Sequence, residues 1–230
     1  LIGVVMLIAN FRQPWFKLCY WWGGVDTKAK KDIGGYMLMA ITSALAVPVS
    51  IIFVRNIIIE QIGWEAAGHW QAVWKISEVY LSVITMALGT YYLPRLASLT
   101  GVNAIVSEIN KTALLIIPIV AFMGVSVYLL RDVAITLLFT DDFRSARDLF
   151  AIQLSGDVMK IASWLYAYPM ISRGATKWFV STEIIFSLSF VALAYLFVSH
   201  IGLQGATMAY FVNYSLYFLF IYSTVKKFAR

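Results

Sequence analysis

Six long apolar stretches follow one another along the chain and are separated by short polar segments. They are continuous runs, each near the roughly 20 residues that a membrane-spanning helix needs. A membrane β-barrel would instead show segments of about ten residues in which apolar and polar positions alternate. The pattern therefore predicts six membrane-spanning helices, over residues 36–59, 70–93, 112–130, 149–171, 178–198 and 204–225.

The composition agrees with a chain that lies in lipid. Hydrophobic residues make up 61% and charged residues 13% of the 230 residues, with a mean hydropathy of +0.78, whereas globular domains average about 45–50% and 25%. The fold class predicted is an all-α integral membrane protein. Cys19 is the single cysteine, the two histidines are too few for a histidine-built metal site, and phosphate-binding and dinucleotide-binding glycine motifs are missing from the sequence, so we expect no cofactor.

The remaining segments complete the predicted organisation. Residues 1–9 form an apolar run of about 13 Å as a helix, less than half of the roughly 30 Å hydrocarbon core, and are predicted to be the end of a truncated transmembrane helix. Residues 10–35 are predicted to be a basic cytoplasmic loop, 36–225 a six-helix transmembrane lobe and 226–230 a basic cytoplasmic tail. Residues 133–139 are too short to cross, so we expect an interfacial or re-entrant helix there, followed by an acidic turn.

Basic residues are distributed unequally between the two ends of the predicted spans. Twelve of the 18 lysines and arginines lie on the side of the 10–35 loop and the C-terminus, and three on the other. By the positive-inside rule the first side is cytoplasmic, which predicts a multi-pass membrane protein with a cytoplasmic C-terminus. Membrane orientation therefore explains the net charge of +6, and we expect no nucleic acid partner.

Six charged residues lie inside the predicted spans, where each costs about 2.5–3.5 kcal/mol on insertion scales and is by default a candidate for a functional site. Arg55 and Glu183 lie near span ends, from which their side chains can reach toward the headgroups. The other four lie deeper: Lys75, Glu78, Asp157 and Lys160.

Two of the predicted helices carry a polar stripe at steps of three and four residues, which places each stripe on one helical face. Together these faces would line a water-filled cavity. The second helix carries Lys75, Glu78, Ser82, Thr85 and Gly89, and the fourth carries Gln153, Asp157, Lys160 and Ala167.

A structural explanation of the same residues stays open. Lys75 with Glu78, and Asp157 with Lys160, are opposite charges three residues apart, so each pair could neutralise itself and serve helix packing alone. Helix packing alone would need only serine, threonine and glycine, whereas buried ion pairs cost free energy of desolvation. A water-filled cavity is the alternative that explains why charged residues occur there.

The stretches 69–100 and 129–161 resemble the C-terminal half of Wzx-type flippases, which handle lipid-linked oligosaccharides for O-antigen or enterobacterial common antigen. The most specific part is Arg147-Asp148-Leu149-Phe150 followed by Gly156-Asp157-Val158-Met159-Lys160. These flippases belong to the multidrug/oligosaccharidyl-lipid/polysaccharide exporter superfamily.

The resemblance implies the second lobe of a twelve-helix transporter, which moves an undecaprenyl-pyrophosphate-linked glycan across the bacterial inner membrane by alternating access. Membrane lipids are implied as partners, and a polysaccharide polymerase as a further one. By likeness, Glu78 matches a position where the family carries an acid, and Asp157 and Lys160 match an acid and a base of its tenth helix.

Within that frame we expect Arg55 and Lys75 to attract the anionic headgroup, and Glu78, Asp157 and Lys160 to exchange internal pairing for substrate or proton binding. The protein is expected to be a transporter and not an enzyme. The alternative on the same fold is a proton- or sodium-coupled multidrug antiporter. A membrane-embedded transferase is a further rival, for which only Asp141 and Asp142 offer carboxylates at a predicted boundary with water.

Overall fold

A computed structural model describes residue 24 and residues 26–138 and 146–229. The chain divides into two compact units, Leu1–Gly35 and Tyr36–Arg230. The described part of the first unit is residue 24 with residues 26–35. The cavity and all side-chain interactions discussed below lie within the second unit.

The described residues form helices and no strands. In chain order these are α1 (Thr27–Gln61), α2 (Trp64–Ala87), α3 (Leu93–Ser98), α4 (Val102–Leu138), α5 (Phe150–Ser172), α6 (Thr176–Ile201) and α7 (Gln204–Phe228). A π-helical turn, Leu88–Tyr92, joins α2 to α3.

Among the described residues, five helical segments are long and apolar enough to cross a membrane: Thr27–Gln61, Trp64–Ser98, Val102–Val133, Thr176–Ile201 and Gln204–Phe228. The prediction of an all-α, multi-pass membrane protein is therefore confirmed. Helix α5, with 23 residues, is about 34 Å long. It is not among the five segments that are long and apolar enough to cross, so its crossing stays a prediction.

Two predicted boundaries were wrong. Helix α1 begins at Thr27, inside the segment predicted as loop, and the Asp26 carbonyl accepts a hydrogen bond of 3.0 Å from the Lys30 N–H. Lysine and alanine are good helix formers, and hydropathy does not register a helix that continues into polar surroundings. Asp141, Asp142 and most of residues 1–35 lie outside the described residues.

The second wrong boundary concerns residues 133–139, which were predicted as a separate interfacial or re-entrant helix. The described part of this segment, residues 133–138, continues α4 without a break. Between Pro118 and Leu138 the residue with the lowest helix propensity is Gly124, and a single glycine costs a helix only about 1 kcal/mol, so the sequence has no strong helix breaker there.

Helix α5 lies at the centre of the second unit. It packs most extensively against α7 and next against α4, and α6 also packs against α7. Its contact face is fully buried at Ile161, Leu165 and Met170. Small residues let helices approach closely in membranes, and α7 supplies Ala206 and Ala209 to this core.

Candidate functional site

A cavity of about 540 Å³ lies among α1, α2, α5, α6 and α7. Its volume falls within the range of about 300–1,000 Å³ that is typical of small-molecule sites. Two kinds of side chain dominate its wall. Aromatic rings come from Trp74, Trp164, Tyr168, Phe179, Phe186, Phe190, Tyr214 and Tyr217, and polar groups from Ser43, Ser50, Glu78, Ser82, Thr85, Lys160, Thr182, Glu183, Ser187 and Asn213.

Glu78 is held at the cavity wall by two neighbours on its own helix. Its Oε1 accepts a hydrogen bond of 3.0 Å from Trp74 Nε1, and its Oε2 accepts one of 2.6 Å from Lys75 Nζ. The Lys75 side chain is 72% exposed and that of Glu78 is 42% exposed. The pair is therefore open to the surface of the helix bundle, and Lys75 offsets the charge of Glu78.

Lys160 reaches into the cavity between aromatic rings. Its Nζ lies 5.0 Å from the ring centroid of Trp164, 5.7 Å from that of Tyr214 and 5.8 Å from that of Trp74. A cation within about 6 Å of a ring centroid is attracted to the ring face. Within the described ranges no carboxylate oxygen lies within 4.0 Å of this nitrogen, so the ammonium is held without an acidic partner in direct contact.

Asp157 lies behind the cavity wall and is fully buried. Its Oδ2 accepts a hydrogen bond of 2.7 Å from the Tyr80 hydroxyl of α2, and its Oδ1 accepts one of 2.8 Å from the Tyr210 hydroxyl of α7. Gly156 makes room for this arrangement, because a Cβ atom there would lie 2.7 Å from Cε1 of Tyr210. One carboxylate thus connects three helices.

The structure separates the residues that were predicted as one site. Glu78 and Lys160 line the cavity, whereas Arg55, Lys75 and Asp157 do not. Arg55 is half-buried near the end of α1. The two proposed ion pairs also behave differently: Lys75 contacts Glu78, but Asp157 is bound by tyrosines and not by Lys160.

Glu183 is a cavity residue that the sequence analysis placed near the headgroups. It lies about two turns into α6, which begins at Thr176, and faces the cavity beside Ser43 of α1. The usable signal was the charge itself, because a carboxylate inside an apolar helix usually faces protein or water.

The arrangement can bind a ligand that combines negative charge, hydroxyl groups and flat apolar faces. Lys160 offers a cation, the rings offer apolar faces, and Ser187, Asn213 and Glu183 offer hydrogen-bonding groups. The part of the chain that the structure describes contains no group of three or more histidine, cysteine, aspartate or glutamate residues that could hold a metal ion.

Comparison with known proteins gives the site its context. The chain is 37% identical over 217 residues to the Lipid III flippase of Escherichia coli K12 and, to the same extent, to the Lipid III flippase of Shigella flexneri. The match covers 94% of this chain and 51% of each relative, so the chain spans about half the length of these curated relatives. No family model and no solved structure matches it. The similarity over nearly the whole chain confirms the resemblance to Wzx-type flippases, for a chain that corresponds to half of such a protein.

Proposed function

We propose that this chain forms one half of a flippase that moves an undecaprenyl-pyrophosphate-linked oligosaccharide across the bacterial inner membrane. The product would serve enterobacterial common antigen or O-antigen synthesis. The observation that carries the proposal is a cavity with an unpaired cation, Lys160, among aromatic rings, in a chain similar to lipid III flippases. The protein is then a transporter, and no bond of the substrate is made or broken.

The physical task of such a carrier matches the cavity. A pyrophosphate with attached sugars cannot cross hydrocarbon unaided, because its charges and hydroxyl groups would lose their water. Lys160 supplies a positive charge for the phosphate, and rings such as Trp164 and Tyr214 supply faces on which the apolar side of a sugar ring can rest. The prenyl chain needs no polar site and would stay in the lipid.

A second half is part of the proposal. Lys75, Glu78 and Ser82 form an exposed polar face on α2, and charged side chains deep in a span normally face protein or water instead of lipid. This face would border a central, hydrated space between two helical lobes, of which residues 36–225 form the second. Arg55 and Lys75 would then attract the headgroup from the rim of that space.

The orientation and the further partner also belong to the proposal. The unequal distribution of basic residues supports a cytoplasmic C-terminus, next to Lys226 and Lys227, by the positive-inside rule. The bacterial inner membrane is the compartment in which a pyrophosphate-linked glycan would be handed to the outer leaflet. A polysaccharide polymerase would use that glycan after its transfer.

The alternative hypothesis, a multidrug antiporter, predicts a cavity of acids and aromatic rings for a cationic substrate. This cavity does contain two acids, Glu78 and Glu183. Glu78 is offset by Lys75, however, and the curated relatives are named for a lipid substrate. The antiporter is therefore not favoured.

The test is leaflet transfer in proteoliposomes that contain the complete transporter and a fluorescent undecaprenyl-pyrophosphate oligosaccharide. Quenching from outside measures how much of the label has changed leaflet. We expect transfer without a change in the covalent structure of the lipid, as checked by mass spectrometry. A new covalent product would indicate an enzyme, and proton-driven release of a cationic dye without lipid transfer would indicate an antiporter; either result contradicts the proposal.

A further inference from the structure

Two polar side chains, one on α2 and one on α5, are buried without a hydrogen-bond partner among the described residues. Gln153 is 1% exposed and both atoms of its amide are unpartnered, and Ser77 is 3% exposed with an unpartnered hydroxyl. A buried polar group without a partner is costly, and native structures usually satisfy such groups with an ordered water molecule.

Both side chains are neighbours of Asp157. Gln153 precedes Asp157 by four residues on α5, so the two share a helical face. Ser77 precedes Tyr80 by three residues on α2, and the Tyr80 hydroxyl donates to Asp157. The Ser77 hydroxyl faces the same carboxylate without meeting the geometry of a hydrogen bond. The unpartnered atoms thus belong to one polar site around a buried acid.

A third unpartnered group extends this site toward the start of α2. The Trp70 indole is fully buried and its N–H has no hydrogen-bond partner among the described residues. Trp70 and Ser77 are seven residues apart, which places them on the same face of α2. Trp70 and Ser77 therefore lie on one face of α2, from its second turn to the residue that faces Asp157.

The chemistry of these atoms selects their ligand. Trp70 and the amide nitrogen of Gln153 are donors only, the amide oxygen of Gln153 is an acceptor only, and the Ser77 hydroxyl is both. A metal cation would satisfy the oxygens and leave both N–H groups unpaired. Water donates and accepts, and buried waters typically make about three hydrogen bonds to groups of this kind.

We propose that Ser77, Gln153 and Trp70 hold ordered water between α2 and α5, and that this water gives the Asp157 carboxyl group a route for proton exchange that is separate from the cavity. The route follows α2 toward the helix start. It does not depend on the identity of the transported substrate.

Other charged and titratable groups surround the same carboxyl group and affect its protonation. Tyr80 faces it from α2, Lys160 from its own helix, and Tyr210 and Tyr214 from α7. Lys160 lies on the cavity side, so exchange through the cavity would pass that residue, whereas exchange through the hydrated route would pass Ser77 and Gln153.

The first test follows the carboxyl group by infrared spectroscopy on the purified, substrate-free protein. The C=O stretch of protonated Asp157 is identified by its loss in Asp157→Asn, and its shift after transfer from H₂O to D₂O gives the exchange rate. We expect Ser77→Ala combined with Gln153→Leu to slow exchange by about tenfold or more, and Ser155→Ala, an exposed serine on α5 bonded within its own helix, to leave it unchanged. Unchanged exchange in the double variant, or the lack of a protonated band at any pH, overturns the proposal.

The second test is thermal stability, which reports whether the site is hydrated or dry. In a dry site, Gln153→Leu removes two unsatisfied atoms and raises the unfolding midpoint, because replacing such a group with an apolar one of similar size relieves its cost. In a hydrated site, the same change removes hydrogen-bond partners of an ordered water molecule and lowers the unfolding midpoint. We expect the midpoint to fall, and a rise contradicts the proposal. Transport plays no part in either test, so failure of the proposed transport function would leave both results interpretable.

Discussion

The Tyr92 hydroxyl donates a hydrogen bond of 3.0 Å to the backbone carbonyl of Leu165. In an α-helix that carbonyl would accept from the N–H four residues later, but residue 169 is proline and has no N–H. Tyr92 lies at the end of the π-helical turn that interrupts the other helix. A side chain from one irregular helix therefore satisfies the backbone group that a proline leaves free in another.

We predict that Tyr92→Phe destabilises the protein by about 1–3 kcal/mol, the cost of leaving a buried carbonyl unpaired. Unfolding of the purified protein in mixed micelles measures the effect. Tyr91→Phe is the control, because Tyr91 is 77% exposed and makes no hydrogen bond among the described residues. Equal losses for the two variants would show that the bond to Leu165 contributes nothing.

The role of Pro169 can be tested in the same system. Pro169→Ala restores an N–H that can bond to the Leu165 carbonyl within α5. Tyr92→Phe should then cost less in the Pro169→Ala background than in the natural sequence, with a coupling of about 0.5–3 kcal/mol in a double-mutant cycle. Additive effects of the two changes would contradict this account.

Gly156→Ala should destabilise the contact between α5 and α7. The added Cβ would overlap the Tyr210 ring, and overpacking of this kind costs about 1–3 kcal/mol. Gly124→Ala is a matched control inside α4, where the nearest atom would be Leu154 Cβ at 3.8 Å. That variant should be neutral or gain up to about 1 kcal/mol from helix propensity. Thermal unfolding of both proteins gives the comparison, and a Gly156→Ala protein as stable as the parent would refute the close contact.

Asp157→Asn should weaken the connection between α2, α5 and α7. An amide keeps one oxygen, so it can accept from Tyr80 or Tyr210 but meets the other hydroxyl with an N–H. We expect a loss of about 1–3 kcal/mol in the free energy of unfolding, which Tyr80→Phe should partly relieve by removing the competing hydroxyl. If Tyr80→Phe instead adds its full cost to that of Asp157→Asn, the two residues do not interact.

Lys160→Gln should lower the rate of lipid transfer in proteoliposomes by about tenfold or more, because removing one partner of a desolvated charged contact costs about 2–5 kcal/mol. Lys75→Gln should have a smaller effect, since its exposed pair with Glu78 belongs to a class worth about 0–1 kcal/mol. Reconstituted amounts of both variants must be equal. A larger loss of transfer rate in Lys75→Gln than in Lys160→Gln would contradict this prediction and would indicate that the headgroup binds at the exposed face of α2.

The helices were predictable because a membrane demands long apolar runs, and all six predicted spans coincide with helices. The ends of the helices were not predictable, because hydropathy indicates only the part of a helix that lies in the hydrocarbon core. Helix α1 extends back through Lys28, Lys30 and Lys31, and α4 runs forward through Arg131 and Asp132. Lysine and arginine are good helix formers, so both helices continue where the apolar pattern gives no signal.

The site was predictable only in part. Helical spacing places Gln153, Asp157 and Lys160 near one face, but it does not say what that face meets. Asp157 is bound by tyrosines 77 and 53 residues away in sequence, while Lys160, less than one turn further, reaches the cavity. Long-range packing decides between these environments, and a single sequence holds no local signal for it.

The bonds of Asp157 also have a mechanical consequence. A single carboxyl group fastens α2, α5 and α7 to each other, whereas α1 contributes few buried side chains, namely Met39, Ser50, Val54 and Ile58. Helix α1 also has no extensive contact with another described helix. We therefore expect a rearrangement that admits a bulky molecule from the side to displace α1, while the three connected helices keep their arrangement.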